Sequence, residues 1–216
     1  LPNLTGFQVL NGSFNDDFNE GIHYWIKSLL KGQTKYIYAG NDAHGNFNRF
    51  RQIKFPMISI WDHTDQILGK CRTGIFLKNG LSLPAILQAL RQGCCVISNG
   101  PLMEISIKTS KNNKSYTLGE YVNGNNISIS LTCSSSKEFG NLDNFELLLG
   151  DLGSAGENQI IHFNFNLDTH THTEVISYNV TGIRGYIRGR ATSKDKEGNC
   201  YHCYTNPVWI NHPAQK

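Results

Sequence analysis

Apolar positions recur along this chain with two different periods, and the change falls near residue 100. In the first stretch, residues 7 to 10 form a short apolar run stopped by Asn11-Gly12, which predicts a strand. Ile22, Trp25, Ile26, Leu29 and Leu30 then fall at i, i+3, i+4, i+7 and i+8, one face of a helix. Asp16 and Asp17 precede that face, where negative charge suits a helix N-terminus. Lys27 and Lys31 lie toward its end, and Gly32 is a natural stop. Residues 36 to 39 predict a second strand, which runs into Gly40-Asn41-Asp42-Ala43-His44-Gly45. Strand, helix and strand with short joins are the signature of a βαβ unit in a parallel sheet or barrel. Further strands are expected at residues 57 to 61 and 75 to 77. Ser82 caps a second helix, with Pro84 in its first turn and an apolar face of Leu83, Ile86, Leu87 and Leu90. Gly93 ends it, and residues 94 to 97 predict a buried strand closed by Ser98-Asn99-Gly100-Pro101.

After Pro101 the helical period is lost. Strands are expected at residues 103–107, 127–131, 145–149, 160–165, 174–178 and 185–190. Alternation is cleanest in Ile127-Ser128-Ile129-Ser130-Leu131, and Gly, Asn and Ser clusters separate the runs. Short strands with turn signals between them predict an antiparallel sandwich. The expected fold class is therefore α+β. A partial α/β region covers residues 1–101, and an all-β sandwich-like domain covers residues 102–216.

Composition narrows the function. At 216 residues the chain is one large domain or two small ones, and 39% hydrophobic residues exclude a wholly disordered chain. No apolar run approaches the roughly 18 residues of a membrane span, so no membrane partner is expected. A net charge of +3 with scattered Lys and Arg lacks the basic stripe that nucleic-acid binding needs. The chain begins at Leu1 with no methionine and no leader pattern, which reads as a mature product or a piece of something longer. Six cysteines are too few for a disulfide-built scaffold. Cys200 and Cys203 make one C-x-x-C with no second pair to complete a zinc site. Reduced, buried cysteines are expected, which favours a cytoplasmic setting with secretion left open. A zinc-stabilised structural domain around Cys200 and Cys203 is a minor alternative.

Candidate chemistry centres on Asp42 and His44. In extended backbone, residues i and i+2 point the same way, so the carboxylate and the imidazole converge. That pair suits a divalent Zn, Mn or Fe ion. Gly40 and Gly45 permit sharp turns, and α/β proteins place ligands at the C-terminal ends of sheet strands. The plain alternative is that Asp42 caps a turn and His44 is an ordinary surface histidine. Arg49 and Arg72 are candidates to meet an anionic substrate oxygen, against a salt bridge or a solvated side chain. Asp168-Thr169-His170-Thr171-His172 reads as a solvent-facing strand or hairpin, and Asp62-His63 as a turn. His23, His162 and His202 read as surface or structural, the last in a sandwich edge. Asn99-Gly100-Pro101 reads as a turn joining the halves.

The segment from Tyr36 to Gly45 resembles the last metal-binding motif of the PHP (polymerase and histidinol phosphatase) superfamily, and more narrowly its CehA/McbA-type metallohydrolases. Val9-Leu10-Asn11-Gly12, Trp25 with Leu29-Leu30-Lys31-Gly32, and Gly40 to Gly45 follow that pattern in order. So do Gly69 with Arg72-Thr73, the helix ending at Gly93, and Ser98-Asn99-Gly100-Pro101. Tyr186-Ile187-Arg188-Gly189-Arg190 and Asn206-Pro207-Val208-Trp209-Ile210 complete it. The resemblance implies a distorted (β/α)₇ barrel holding two or three metals. Its ligands are an early His-x-His, a mid-chain acidic residue, further histidines and the late Asp-x-His. Only the late motif maps here, onto Asp42 and His44. Just 41 residues precede Asp42, so the chain is expected to be the C-terminal part of a barrel with an appended β domain. The absent N-terminal part of the barrel is then an expected partner. The implied activity is metal-dependent hydrolysis of a small-molecule phosphoester first, and of an ester or carbamate second. Asp42 and His44 would be the metal ligands and catalytic residues, and Arg49 and Arg72 would bind substrate. Two ligands fall short of the three that a catalytic zinc takes, so the chain alone is expected to bind metal weakly and turn over little. The competing expectation is a non-catalytic β-sandwich module that binds carbohydrate, a domain or another chain. Its candidate exposed aromatics are Tyr116, Tyr121, Tyr201 and Tyr204.

Overall fold

A computed structural model describes residues 5–43, 52–54, 56–57, 59–61, 68–78, 80–110, 112–166 and 168–212. The chain enters through β1 (Gly6–Asn11), α1 (Asp16–Leu30) and β2 (Tyr36–Gly40). β1 and β2 are parallel, from Gly6 opposite Tyr36 to Asn11 opposite Gly40, so the expected βαβ unit is present. α1 starts where Asn15 accepts the Phe18 N–H at 3.0 Å. It buries Ile22, Trp25, Leu29 and Leu30 of the apolar face read from the sequence and Phe18 one turn earlier, while Ile26 is half-buried.

Next come β3 (Gln52–Lys54) and β4 (Ser59–Trp61), an antiparallel pair, then β5 (Arg72–Ile75), α2 (Leu83–Gln92) and β6 (Cys95–Ser98). Ser82 and Gly93 cap α2 as expected, Gly93 in the left-handed region at φ 71°. Its apolar stripe makes a helix but not a core. Only Ala89 is buried, while Leu83 and Leu87 are 68% and 42% exposed. β5 and β6 are antiparallel neighbours, so α2 is not a crossover between parallel strands.

The remaining elements are strands. They are β7 (Leu102–Thr109), β8 (Asn112–Thr117), β9 (Tyr121–Val122), β10 (Asn126–Ser134), β11 (Asn141–Asp151) and β12 (Glu157–Asn164). They continue with β13 (Thr171–Asn179), β14 (Gly185–Lys194), β15 (Cys200–Thr205) and β16 (Val208–Ile210). One four-stranded sheet runs β13-β10-β7-β8, and an eight-stranded sheet runs β12-β11-β14-β15-β6-β5 with β16 and β9 attached beside β14. Ile127, Ile129, Leu131 and Cys133 face inward from β10 and meet Phe145, Leu147 and Ile187 of the other sheet. This is the period-two pattern turned into a sandwich core. The result is a β-rich α+β fold with two helices among the described residues.

The large sheet crosses the boundary expected at Pro101. β5 and β6, before it, are hydrogen-bonded into the same sheet as β14 and β15, after it. The β1–α1–β2 unit lies on the outer face of that sheet, over a second core of Leu10, Trp25, Ile37, Ile97, Tyr186 and Trp209. β15 lies between β14 and β6, so from Cys203 onward it is an interior strand and not a sandwich edge, while Cys200 and Tyr201 pair with β14 alone. Cys203 is buried and Cys200 exposed, on opposite faces of one strand, which a shared zinc does not permit. No disulfide joins the six cysteines, five of which are buried. Among the described residues no helix is long and apolar enough to cross a membrane.

Candidate functional site

β2 delivers Asn41 and Asp42, and the way it is held is unusual. One edge pairs with β1; the other is held by side chains in place of a strand. Asn206, fully buried, accepts the Ile37 N–H at 2.8 Å and donates to the Ile37 carbonyl at 3.2 Å. The same amide donates to the Cys95 carbonyl at 3.2 Å, which joins β2 to β6. Thr73 Oγ1 accepts the Ala39 N–H at 2.9 Å and donates to the Ala39 carbonyl at 3.1 Å. Asn41 in turn accepts the Cys71 N–H at 2.6 Å and donates to the Cys71 carbonyl at 2.9 Å. A strand presents N–H and C=O to the same edge at alternate residues, and an amide or hydroxyl that both donates and accepts satisfies both. Asn41, Thr73 and Asn206 all belong to the blocks that carry the family resemblance. Their role here is to clamp β2, which the linear spacing did not reveal.

Asp42 lies just past the C-terminal end of β2, exposed, with φ at 49°. Asp tolerates this left-handed region better than most residues. The chain therefore turns at Asp42 itself, and the side-by-side argument for extended backbone does not run from Asp42 to His44. His44 and Arg49 lie outside the described residues, as do Asp62 and His63. Arg72 is exposed on β5, with its guanidinium 4.8 Å from the centre of the Phe139 ring. Asn99 accepts the His202 N–H at 2.7 Å, which makes it a staple between the β6 end and β15. Among the described residues no three His, Cys, Asp or Glu side chains gather to hold a metal ion. Asp168 accepts from Asn141, and His172 stacks on Phe163 at 4.9 Å, so that histidine belongs to the sandwich rim. The tyrosines do not form one exposed face: Tyr121, stacked on Trp209, and Tyr204, against Phe14 and Phe18, pack on the second core at the outer face of the large sheet, while Tyr201 packs on Phe139 on the other side of β15.

A second polar group escaped the linear reading. His162, Glu146, Arg190 and Tyr204 stand in register across β12, β11, β14 and β15, on the outer face of the large sheet. Glu146 is buried, with His162 Nδ1 at 3.0 Å from one oxygen and Arg190 Nε bonded to the other. Burial alone would raise its pKa; the hydrogen bonds and charges of Arg190 and His162 outweigh that and hold it below the ordinary carboxylate value. His202, half-buried nearby, is pulled down by burial and then by the Arg190 charge. These groups line a cleft of about 240 Å³ with Asn144 and Thr192. Two residues back on the same face of β14, Arg188 bonds both Glu157 oxygens at 2.7 and 2.5 Å, and Trp25 of α1 lies 5.4 Å away. Tyr186 donates to the same carboxylate at 2.8 Å, and burial followed by the Glu157 charge pushes its phenol far above the usual range. The only local signals were polar positions alternating through Tyr186, Arg188, Arg190 and Thr192, and a lone Glu in an apolar run.

No family model and no curated protein matches this chain. Among solved structures, the soluble domain of PmoD from a Methylocystis species (strain Rockwell) aligns with 50% of this chain and 90% of its own. Identity is 13% and the TM-score 0.35, a likeness too small to carry an argument about fold or function.

Proposed function

We propose that this chain is the C-terminal part of a PHP-superfamily metal-dependent hydrolase of the CehA/McbA type, acting on a phosphoester first and an ester or carbamate second. The supporting observation is the placement of Asp42. It follows the C-terminal end of a parallel strand in a βαβ unit, where α/β proteins bind ligands. That strand is clamped by Asn41, Thr73 and Asn206, which come from the blocks that carry the resemblance. The donor chemistry suits a divalent ion: an exposed carboxylate at Asp42, with the His44 imidazole two positions on. A bound Zn, Mn or Fe ion supplies Lewis-acid polarisation and a water of lowered pKa. The chain's own part is to hold and orient. Asp42 and His44 bind the ion, and the side-chain clamp fixes the end of β2 from which both depart. Further ligands come from barrel strands that the resemblance places ahead of β1, so the chain alone binds an ion weakly.

Calorimetric titration with Zn²⁺ and Mn²⁺ tests this on the chain, on Asp42→Ala and on His44→Ala. Weak binding that disappears in both variants, with unchanged circular dichroism, is the expected result. Binding of the same strength in both variants would overturn the reading.

A further inference from the structure

The cleft on the outer face of the large sheet is independent of the metal motif and rests on none of it. We propose that it binds a neutral, polyhydroxylated ligand, a single pyranose ring of a glycan, between Glu146, Arg190, Thr192, His202 and Tyr204.

Four observations carry this. The first is preorganisation. Glu146 takes Arg190 Nε and Tyr204 interacts with the same guanidinium, so the Arg190 side chain is fixed where it lines the cleft, while 44% of it stays exposed. His162 is fixed as well, between Glu146 at 3.0 Å and Asn164 Oδ1 at 3.0 Å. The second is charge. The Arg190 cation is already offset by Glu146, and the Asp143 carboxylate accepts from the Thr192 hydroxyl at 3.2 Å. An anion therefore competes with Glu146 and faces Asp143, while a cation faces Arg190. An uncharged ligand meets neither penalty. His202, held toward its neutral form, adds one donor and one acceptor and no charge.

The third is the inventory of polar groups. Guanidinium, imidazole, hydroxyl and carboxamide groups together offer both donors and acceptors, which matches hydroxyl groups that do both. The fourth is shape. Tyr204 lines the cleft, and its ring is held by Phe18 at 5.2 Å and Phe14 at 6.0 Å, with Phe14 also packed on His202 at 4.9 Å. A ring fixed by neighbouring aromatics offers a rigid apolar surface to the C–H groups of a sugar. A volume of about 240 Å³ holds roughly eight waters at ~30 Å³ each, the scale of one six-membered ring.

The test uses the full chain with free glucose, galactose, mannose and N-acetylglucosamine as neutral probes, and inorganic phosphate as the anionic one. Saturation-transfer NMR identifies a binder and calorimetry measures it. At least one neutral sugar should bind in the millimolar range. Arg190→Met and Thr192→Val should each weaken it about tenfold, while Leu83→Ser on the distant α2 leaves it unchanged. Thermal melts check that each variant is folded, and Thr192→Val serves if Arg190→Met is not. Binding to no neutral sugar, binding to phosphate alone, or equal affinity in the folded cleft variants would overturn the proposal. None of these outcomes depends on Asp42 or His44, so failure here leaves the hydrolase reading standing, and the reverse holds too.

Discussion

Arg188 and Arg190 stand two residues apart on one face of β14, and each is paired with a glutamate. Their fates differ. Arg188 is 3% exposed and its partner Glu157 is 8% exposed, sealed under Trp25 of α1. Arg190 is 44% exposed at the rim of an open cleft. Desolvating two charges is expensive, and the buried pair tolerates it because its geometry is bidentate and Tyr186 adds a third hydrogen bond. The open pair has water for its remaining donors. The same chemistry on the same sheet is thus structural where a helix covers it and available to a ligand where the helix ends.

The largest expected effect breaks the covered pair. Arg188→Met leaves the Glu157 carboxylate buried and without its cation, and should cost about 3–5 kcal/mol by urea unfolding at neutral pH. Adding Glu157→Leu should recover part of the loss, since no lone charge remains. In a Trp25→Ala background the pair gains water, so the further cost of Arg188→Met should fall. A double-mutant cycle that finds no such coupling would remove α1 from the explanation.

A second device for buried polar groups is the clamp on β2. Asn206→Ala strips partners from the Ile37 N–H and carbonyl, at roughly 1–3 kcal/mol for a buried group left unpaired. Hydrogen exchange at Ile37 should accelerate more than at the sandwich strand β10. Arg190→Met should cost less than Arg188→Met, roughly 1–3 kcal/mol, because Glu146, although buried like Glu157, keeps its hydrogen bond to His162 Nδ1 at 3.0 Å. An equal cost for Arg188→Met and Arg190→Met would erase the distinction between the two pairs.

The smallest effect is in pH. His202 has its folded pKa lowered below 6.5 by burial and Arg190. As pH falls through that value, the unfolded chain takes up the proton first, so stability declines. Glu146 acts in the same direction lower down: its folded pKa lies below 4.5, and its contribution is lost as pH falls through the folded value. Melting temperature should drop between pH 7 and 5.5, and His202→Phe should flatten that slope.

Much of the fold was legible. The 3.6-residue stripe of α1 and the alternation of β10 report local geometry, and local geometry follows from neighbours in the chain. The Ser82 and Gly93 caps of α2 were legible for the same reason. The exposure of Leu83 and Leu87 was not, because an apolar stripe says which face seeks cover and not whether cover arrives. Nor was the role of Asn41, Thr73 and Asn206 as a clamp, since 169 positions separate Ile37 from Asn206. Asp42 was legible as a residue at a strand end, yet its left-handed φ, which redirects the chain, was not.

Sequence by itself determined the two helices with their caps and the more apolar strands in their order, but not the short or polar strands β3, β8, β9 and β16. Those depend on side-chain period, backbone preference and capping groups a few residues apart. Only the tertiary structure decided that β5 and β6 join the sandwich sheet, that β15 is interior from Cys203 onward, and that His162, Glu146, Arg190 and Tyr204 share a row. Sheet register is a relation between distant segments, set by the core they bury together, and no local pattern carries it.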